Sequence, residues 1–354
     1  MAYTVIDDSS DYFNAVLYTG NGTAIGSGGN AITGVGHQPD WVWLKNRNSS
    51  GHDHFLFDSV NGVKKFLSSN DTGTLSGADN EYLSVFGNDG FTLGNSDGMN
   101  ENNITFVSWN WKAGTAFSND ASSTSIGSID SSGSVSTTSG FSIIKWSGAN
   151  ATSTVAHGLG VAPKVILVKS LANTTTWMVQ HAAIGNAKEI YLNNDSAAGN
   201  STAWNSTSPT TTVFSVTGGA GDGVNHSGDY IGFCFAEVKG FSKFGSYVGN
   251  GNADGTFVYT GFKPAWVLAR SISASRNWNM YDNKRPGYNG GDAPLFADLA
   301  NDESNDLGRM DFVSNGFKIR TSNLQLNTSG TTYIFMAFAE NPLVNSSGVP
   351  GTAE

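Results

Sequence analysis

One pattern recurs three times along this chain of 354 residues, and that self-similarity limits what it can fold into. A repeat of roughly a hundred residues points to one structural unit used three times, with the second and third copies, joined almost directly through GFSKF at Gly240, expected to pack as a rigid pair. Each copy opens with an aromatic strand, FNAVLYTGNG from Phe13, FSIIKWSGAN from Phe141 and FGSYVGNGNADG from Phe244. A proline then leads into an apolar strand ending near a cation: Pro39 and Lys45 in HQPDWVWLKNR, Pro163 and Lys169 in VAPKVILVKS, Pro264 and Arg270 in FKPAWVLARS. The third segment is HFLFDS from His54, WMVQHA from Trp177 and WNMYDN from Trp278, followed by FLSSND, IYLNND and LFADLAND. FGNDGFTLG from Phe86 is answered by FVSNGFKIR from Phe312 and only loosely by VFSVTGG from Val213. All copies close on a nearly continuous apolar run, at Ile104, Tyr230 and Thr332.

Alternation with period two in WVWLKN and FVSWNWK marks strands, because successive side chains leave a strand on opposite faces. Turns such as NDG at Asn88 and SNG at Ser314 supply the residues that tight hairpins require. No segment carries a capped 3.6-residue period, so helices are expected to be few and short. The three prolines sit at strand entrances, where a missing N–H breaks no ladder. Lys45, Lys169 and Arg270 fall near the strand exits, where a cation is expected to meet solvent.

The fold class expected is therefore all-β: three tandem β-sandwich repeats of jelly-roll or lectin-like type. Their boundaries fall at 8–114, 139–240 and 241–343. Residues 115–138, nearly all Ser, Thr and Gly, read as a linker with room for a hairpin, and 344–354 as an exposed tail.

Composition narrows the function. Charged residues make up 14% of the chain, against roughly 25% in ordinary soluble proteins, and 44 glycines with long Ser, Thr and Asn runs take their place. The formal charge of −10 with no Lys or Arg cluster argues against a nucleic-acid partner. Cys234 stands alone within an apolar run, so it reads as a buried strand residue, with no disulfide framework and no cysteine zinc site. No secretory signal and no apolar stretch of transmembrane length is visible, so membrane insertion is not expected.

The segments DDSSDYFNAVLYTGNGT, GVGHQPDWVWLKNR, FVSWNWKAG and FMAFAENPLVNSSGVP together resemble repeat-containing virion proteins of tailed phages, especially those of marine bacteria. That resemblance covers nearly the whole chain, with the second copy the most divergent. It implies a place on the virion surface, on tail or capsid, among other virion proteins, with host attachment as the usual role. A homotrimer is expected by analogy with phage fibres, although no heptads or collagen-like triplets are present to drive one. It brings no catalytic set and no cofactor.

Comparison between copies tests for chemistry. Asp58 is matched by Asp282 in the third copy but by Ala182 or a neighbour in the second, and the six histidines never coincide in all three. His52 and His54 form an H-x-H pair without a third metal ligand in sequence reach. Glu189, Glu237 and Glu303 are too scattered for a glycosidase pair, and the acidic turns at Asn252, Gly219 and Asn301 lack calcium-loop spacing. No catalytic and no metal residues are assigned. Sugar recognition is better supported, since aromatic faces with Asn, Asp and Ser nearby are what a pyranose needs. Trp111, Trp177, Trp278, Tyr281 and Tyr288 lie in or beside loop-like stretches and are the candidate ligand-binding residues.

The reading is a non-enzymatic tail-fibre or attachment protein engaging a host-surface glycan or envelope component. A capsid decoration or fibre-anchoring protein without a receptor stays open beside it, as does a tailspike depolymerase.

Overall fold

The computed structural model describes residues 4–218, 224–285, 289, 293–304 and 308–350. The first unit comprises β1 (Phe13–Thr19), β2 (Asn30–Thr33), β3 (Trp41–Asn46), β4 (Phe55–Asp58), β5 (Phe66–Leu67), β6 (Leu83–Gly87), β7 (Gly90–Leu93) and β8 (Thr105–Trp111). Next come β9 (Thr115–Asn119) and β10 (Ser131–Ser136). The second unit has β11 (Phe141–Ser147), β12 (Ser153–Ala156), β13 (Val165–Ser170), β14 (Met178–His181), β15 (Lys188–Tyr191), β16 (Gly199–Asn200), β17 (Val213–Val216) and β18 (Asp229–Phe235). The third has β19 (Ser242–Val248), β20 (Phe257–Tyr259), β21 (Phe262–Ser271), β22 (Asn279–Asp282), β23 (Leu295–Phe296), β24 (Met310–Val313), β25 (Gly316–Ile319) and β26 (Thr332–Pro342). The fold is all-β.

In the first unit the large sheet runs β1-β8-β3-β4-β5 and the small one β2-β7-β6; the third repeats this as β19-β26-β21-β22-β23 and β20-β25-β24. The second unit keeps the same plan with β11-β18-β13-β14-β15-β16 and the pair β12-β17. A jelly roll would divide its strands evenly between two sheets, whereas here the third, fourth and fifth strands stay together as a meander. The second and seventh strands, with the sixth in the first and third units, form the smaller sheet.

Each large sheet is buried on both faces, which is why its strands read as nearly unbroken apolar runs. Val42 and Leu44 point outward to Ile32, Phe91 and Leu93 of their own small sheet. Trp41 and Trp43 point the other way, into a core shared with Val165 and Leu167 of the second unit and Trp266 and Leu268 of the third. Ring contacts knit the units there: Trp41 stacks on Phe233 at 4.6 Å, and Trp111 meets Trp266 edge-on at 5.5 Å. Truncating any of these tryptophans to Ala is expected to cost about 3–5 kcal/mol.

The three units close into a ring through equivalent bonds. Leu75 N–H donates to Leu171 O at 3.1 Å, Ala198 N–H to Ile272 O at 3.0 Å, and Glu303 N–H to Arg47 O at 2.9 Å. The first residue of the third segment does the same with its side chain. Trp177 Nε1 donates to Ser68 O at 2.8 Å and Trp278 Nε1 to Tyr191 O at 2.7 Å. His54 accepts from Trp43 Nε1 on Nδ1, so its protonated Nε2 donates to Phe296 O at 2.9 Å. Ser68, Tyr191 and Phe296 occupy one repeat position.

The three strand-end cations differ from the sequence expectation. Lys45, Lys169 and Arg270 are buried, because they share the inward face with the core tryptophans and stand where neighbouring units meet. Lys45 Nζ donates to Ala300 O of the third unit at 3.2 Å, and Arg270 Nη1 to Tyr191 O of the second at 2.7 Å. Burial lowers both lysines to about 8.

A second correction concerns residues 115–138, which are no linker. β10 pairs with both β9 and β11, so this segment extends the second unit's large sheet by two strands. The small serines and Gly133 permit it, since a Cβ on Gly133 would lie 1.8 Å from Ile143 O. The opening strand of the third unit also starts two residues earlier than its aromatic suggests: Ser242, not Phe244, occupies the position of Phe13 and Phe141. The tail turns back, with Ser346 N–H donating to Asp7 at 2.6 Å.

One motif escaped sequence comparison. Asn100, Asn225 and Asn327 are fully buried, and each accepts a backbone N–H just after the opening strand, from Asn21 at 2.9 Å, Ala149 at 3.3 Å and Asn250 at 2.8 Å. Gly20, Gly148 and Gly249 precede those donors and pass so close to the asparagine segment that any Cβ would collide with its backbone.

Candidate functional site

The aromatic residues singled out from sequence turn out to be core, not binding surface. Trp111, Trp177, Trp278 and Tyr281 are no more than 2% exposed. The reason is positional: Trp177 and Trp278 abut strand starts and Trp111 ends one, so their side chains join the inward alternation and close the ring. Tyr281 faces the third unit's own sandwich core. Tyr288 lies outside the described residues.

The polar candidates have structural duties as well. Asp58, His181 and Asp282 share one repeat position, each opposite the strand residue Trp41, Val165 or Trp266. Each caps the turn after its strand: Asp58 accepts from Asn61 N–H at 2.7 Å, His181 Nδ1 from Ala183 N–H at 3.2 Å and Asp282 from Lys284 N–H at 3.0 Å. Glu189 accepts from the Tyr191 hydroxyl, Glu237 pairs with Lys243 and Glu303 with Arg47. His54 belongs to the core, whereas His52 faces a surface hollow, so the H-x-H pair does not converge. Among the described residues no three His, Cys, Asp or Glu side chains come together as a metal requires.

The two strands without counterparts in the other units build a different site. Where β9 and β10 run beside β11 and β18, a cleft of about 710 Å³ opens, within the roughly 300–1,000 Å³ of small-ligand pockets. The hairpin is pinned by Ile129, which bridges to Val155 in parallel, and by Ser131 Oγ, which donates to Ala156 O at 3.0 Å. Asp120 caps the one-turn helix Ala121–Thr124 between the strands, and hydrogen bonds from Ser122 and Ser123 hold its carboxyl below the usual range.

Lys145, Trp146, Ser147 and Asp229 form one wall, with Asp130 and Ser132 opposite. Ser147 Oγ donates to Asp229 Oδ1 at 2.7 Å, and Lys145 Nζ lies 3.9 Å from Asp229 Oδ2. Trp146 stacks on Tyr230 with ring centroids 5.6 Å apart, and its buried Nε1 has no partner among the described residues. The cleft thus offers carboxylate acceptors, an ammonium and several hydroxyls, backed by the buried Trp146 ring. That mixture matches a ligand dense in hydroxyls.

This wall is particular to the second unit. Leu17, Tyr18 and Thr19 stand where Lys145, Trp146 and Ser147 do, and Thr105 replaces Asp229; in the third unit the same positions hold Ser246, Tyr247, Val248 and Thr332. A sequence signal existed in the faint alternation of TSIGSIDSSGSVST, whose second half is β10. Among the described residues no helix is long and apolar enough to cross a membrane.

Residues 8–342 match DUF7483, described as a domain of unknown function, and the chain belongs to that family. No curated protein and no solved structure matches it.

Proposed function

We propose that this member of the DUF7483 family is a virion surface protein of a tailed phage, a tail-fibre or attachment component that binds a host-surface glycan through the second unit's cleft. The observation that carries the binding reading is the cleft's position: it is built by a strand pair that, among the described residues, the other two units lack, and its polar groups occupy repeat positions that are apolar or uncharged elsewhere. Where three copies share a residue, that residue packs or caps; where one copy departs, the surface changes. The residues a hydrolase reading would draw on, Asp58, Asp282 and Glu303, are already engaged in turns and ion pairs, which favours binding over turnover.

The location rests on the resemblance of the opening, proline, closing and tail segments to phage virion proteins. A trimer of chains is not needed to make a threefold core, since the three units already supply one.

Labelled antibody imaging of particles, combined with binding of the purified chain to host envelope polysaccharide, tests the proposal. Tail labelling with retained, unhydrolysed polysaccharide is expected. Head labelling without polysaccharide binding would replace attachment by decoration, and release of oligosaccharides would replace it by a depolymerase.

A further inference from the structure

A second cluster of unlike groups lies in the first unit, away from the cleft. His37, Asp40, Asn88 and Lys112 line a cavity of about 380 Å³ together with Gly36 and Gln38. Asp89 accepts from Gly34 N–H at 3.0 Å and from Gly36 N–H at 2.7 Å, which fixes the loop carrying His37. Gly36 has a φ of +87°, a conformation glycine adopts without strain.

His37 is 3% exposed, and its Nδ1 lies 2.6 Å from Ser10 O. A carbonyl cannot donate, so Nδ1 carries the proton. Burial lowers this histidine to about 4, so the ring is neutral and Nε2 is an acceptor. That nitrogen is buried and, among the described residues, meets no donor. Lys112 presents the complementary group: its ammonium lies 5.7 Å from the Tyr12 ring centroid and, among the described residues, makes no ion pair. Asp40 has both oxygens occupied, by Ser59 Oγ at 2.7 Å and Ala113 N–H at 2.9 Å. Its charge balances that of Lys112 across the cavity, so a net-neutral ligand suits the site better than an ion.

The other units show that the fold does not require this cluster. At the positions of His37, Asp40 and Lys112 the second unit has Val161, Lys164 and Ala236, and the third has Phe262, Ala265 and Ala339. A buried polar group without a partner is costly, and here it stands where an apolar residue serves the sister copies.

We propose that this cavity binds one neutral sugar unit, a hydroxyl of which donates to His37 Nε2 while a neighbouring oxygen accepts from Lys112. The Asn88 and Gln38 amides, which line the same cavity, are then placed for the remaining hydroxyls. The site is distinct from the cleft of the second unit and stands or falls without it, although a glycan-binding function for the cleft would make the protein bivalent.

Titration of the ¹⁵N-labelled chain with methyl glucoside and methyl galactoside, followed by NMR, tests this with one reporter per site: the His37 imidazole nitrogens for the cavity and the Trp146 indole N–H for the cleft. Saturable movement of the His37 Nε2 resonance is expected for at least one of them. Lys112→Ala, which copies a residue both sister units already carry, is expected to weaken that response about tenfold or more and to leave the Trp146 response alone. A His37 resonance that never moves, or one that moves equally in Lys112→Ala, overturns the inference whatever the Trp146 signal does.

Discussion

Arg47 Nε lies 2.6 Å from Glu303 Oε1, and Arg47 Nη2 lies 3.2 Å from Glu303 Oε2, although 256 residues of chain separate the two. The pair closes the ring between the first and third units, next to the backbone bond from Glu303 to Arg47 O. It continues into a buried network: Glu303 meets Arg285 at 3.5 Å, Arg285 pairs with Asp282 at 2.7 Å, and Asp282 accepts from Trp109 Nε1 at 3.0 Å. Bidentate geometry and low exposure set this pair apart from surface ion pairs worth next to nothing.

A double-mutant cycle of Arg47→Met and Glu303→Gln, read by chemical denaturation, is expected to give a coupling of about 1–3 kcal/mol. A coupling indistinguishable from zero would mean that the ring closes without it.

The buried asparagines make a sharper claim about the repeat. Replacing Asn100, Asn225 or Asn327 by Ala removes the acceptor of a backbone N–H and the donor to one or two backbone carbonyls, and about 2–4 kcal/mol of lost stability is expected at each site. Similar losses in all three units are the test. A loss in one unit alone would show that the shared geometry is not a shared source of stability.

Cys234 is fully buried between β11 and β13, and burial pushes its thiol up to about 12. Thiol reagents at neutral pH are expected to leave it unmodified until the protein unfolds, with labelling tracking loss of structure through a denaturant series. Rapid labelling of the native chain would contradict the packing.

Acid is expected to destabilise the fold. Burial lowers His37, His157 and His181 to about 4, against roughly 6.5 in an unfolded chain, so the unfolded state binds more protons between those values. The stability these groups contribute is complete above pH 6.5 and lost as pH falls to about 4. Asp58, raised to about 6 by burial, works in the opposite sense over part of that window, as do the buried carboxyls of Asp40 and Asp298, whereas buried His54 adds to the three histidines. A net loss of a few kcal/mol, of the order of one to two such shifts, should appear as a falling Tm. A Tm that holds steady from pH 6.5 to 4 would mean that these histidines are not buried as described.

The threefold repeat and the strand positions were legible because period-two alternation and turn residues are local signals. What lay beyond reach was the second burial of each sheet. A strand-end lysine such as Lys45 looks solvated until a neighbouring unit is placed against it, and Trp177 looks like a loop aromatic until Ser68 of another unit is found accepting from it. The cleft was hidden for a related reason: Ser- and Gly-rich strands carry weak patterning, so the segment that builds it read as a spacer. Asn100 and its counterparts could have been found from their spacing to the closing strands, had polar residues been aligned as closely as apolar ones.

Recognition of a hydroxyl-rich ligand by the second unit's cleft is the central functional proposal. Binding of the purified chain to an array of bacterial surface glycans, compared with Asp229→Thr, tests this most directly, because Thr105 and Thr332 already occupy that position in the other units and the variant should fold. Selective binding by the parent chain, weakened about tenfold or more in the variant, is the predicted result. Absence of glycan binding, or binding unchanged by Asp229→Thr, would contradict it.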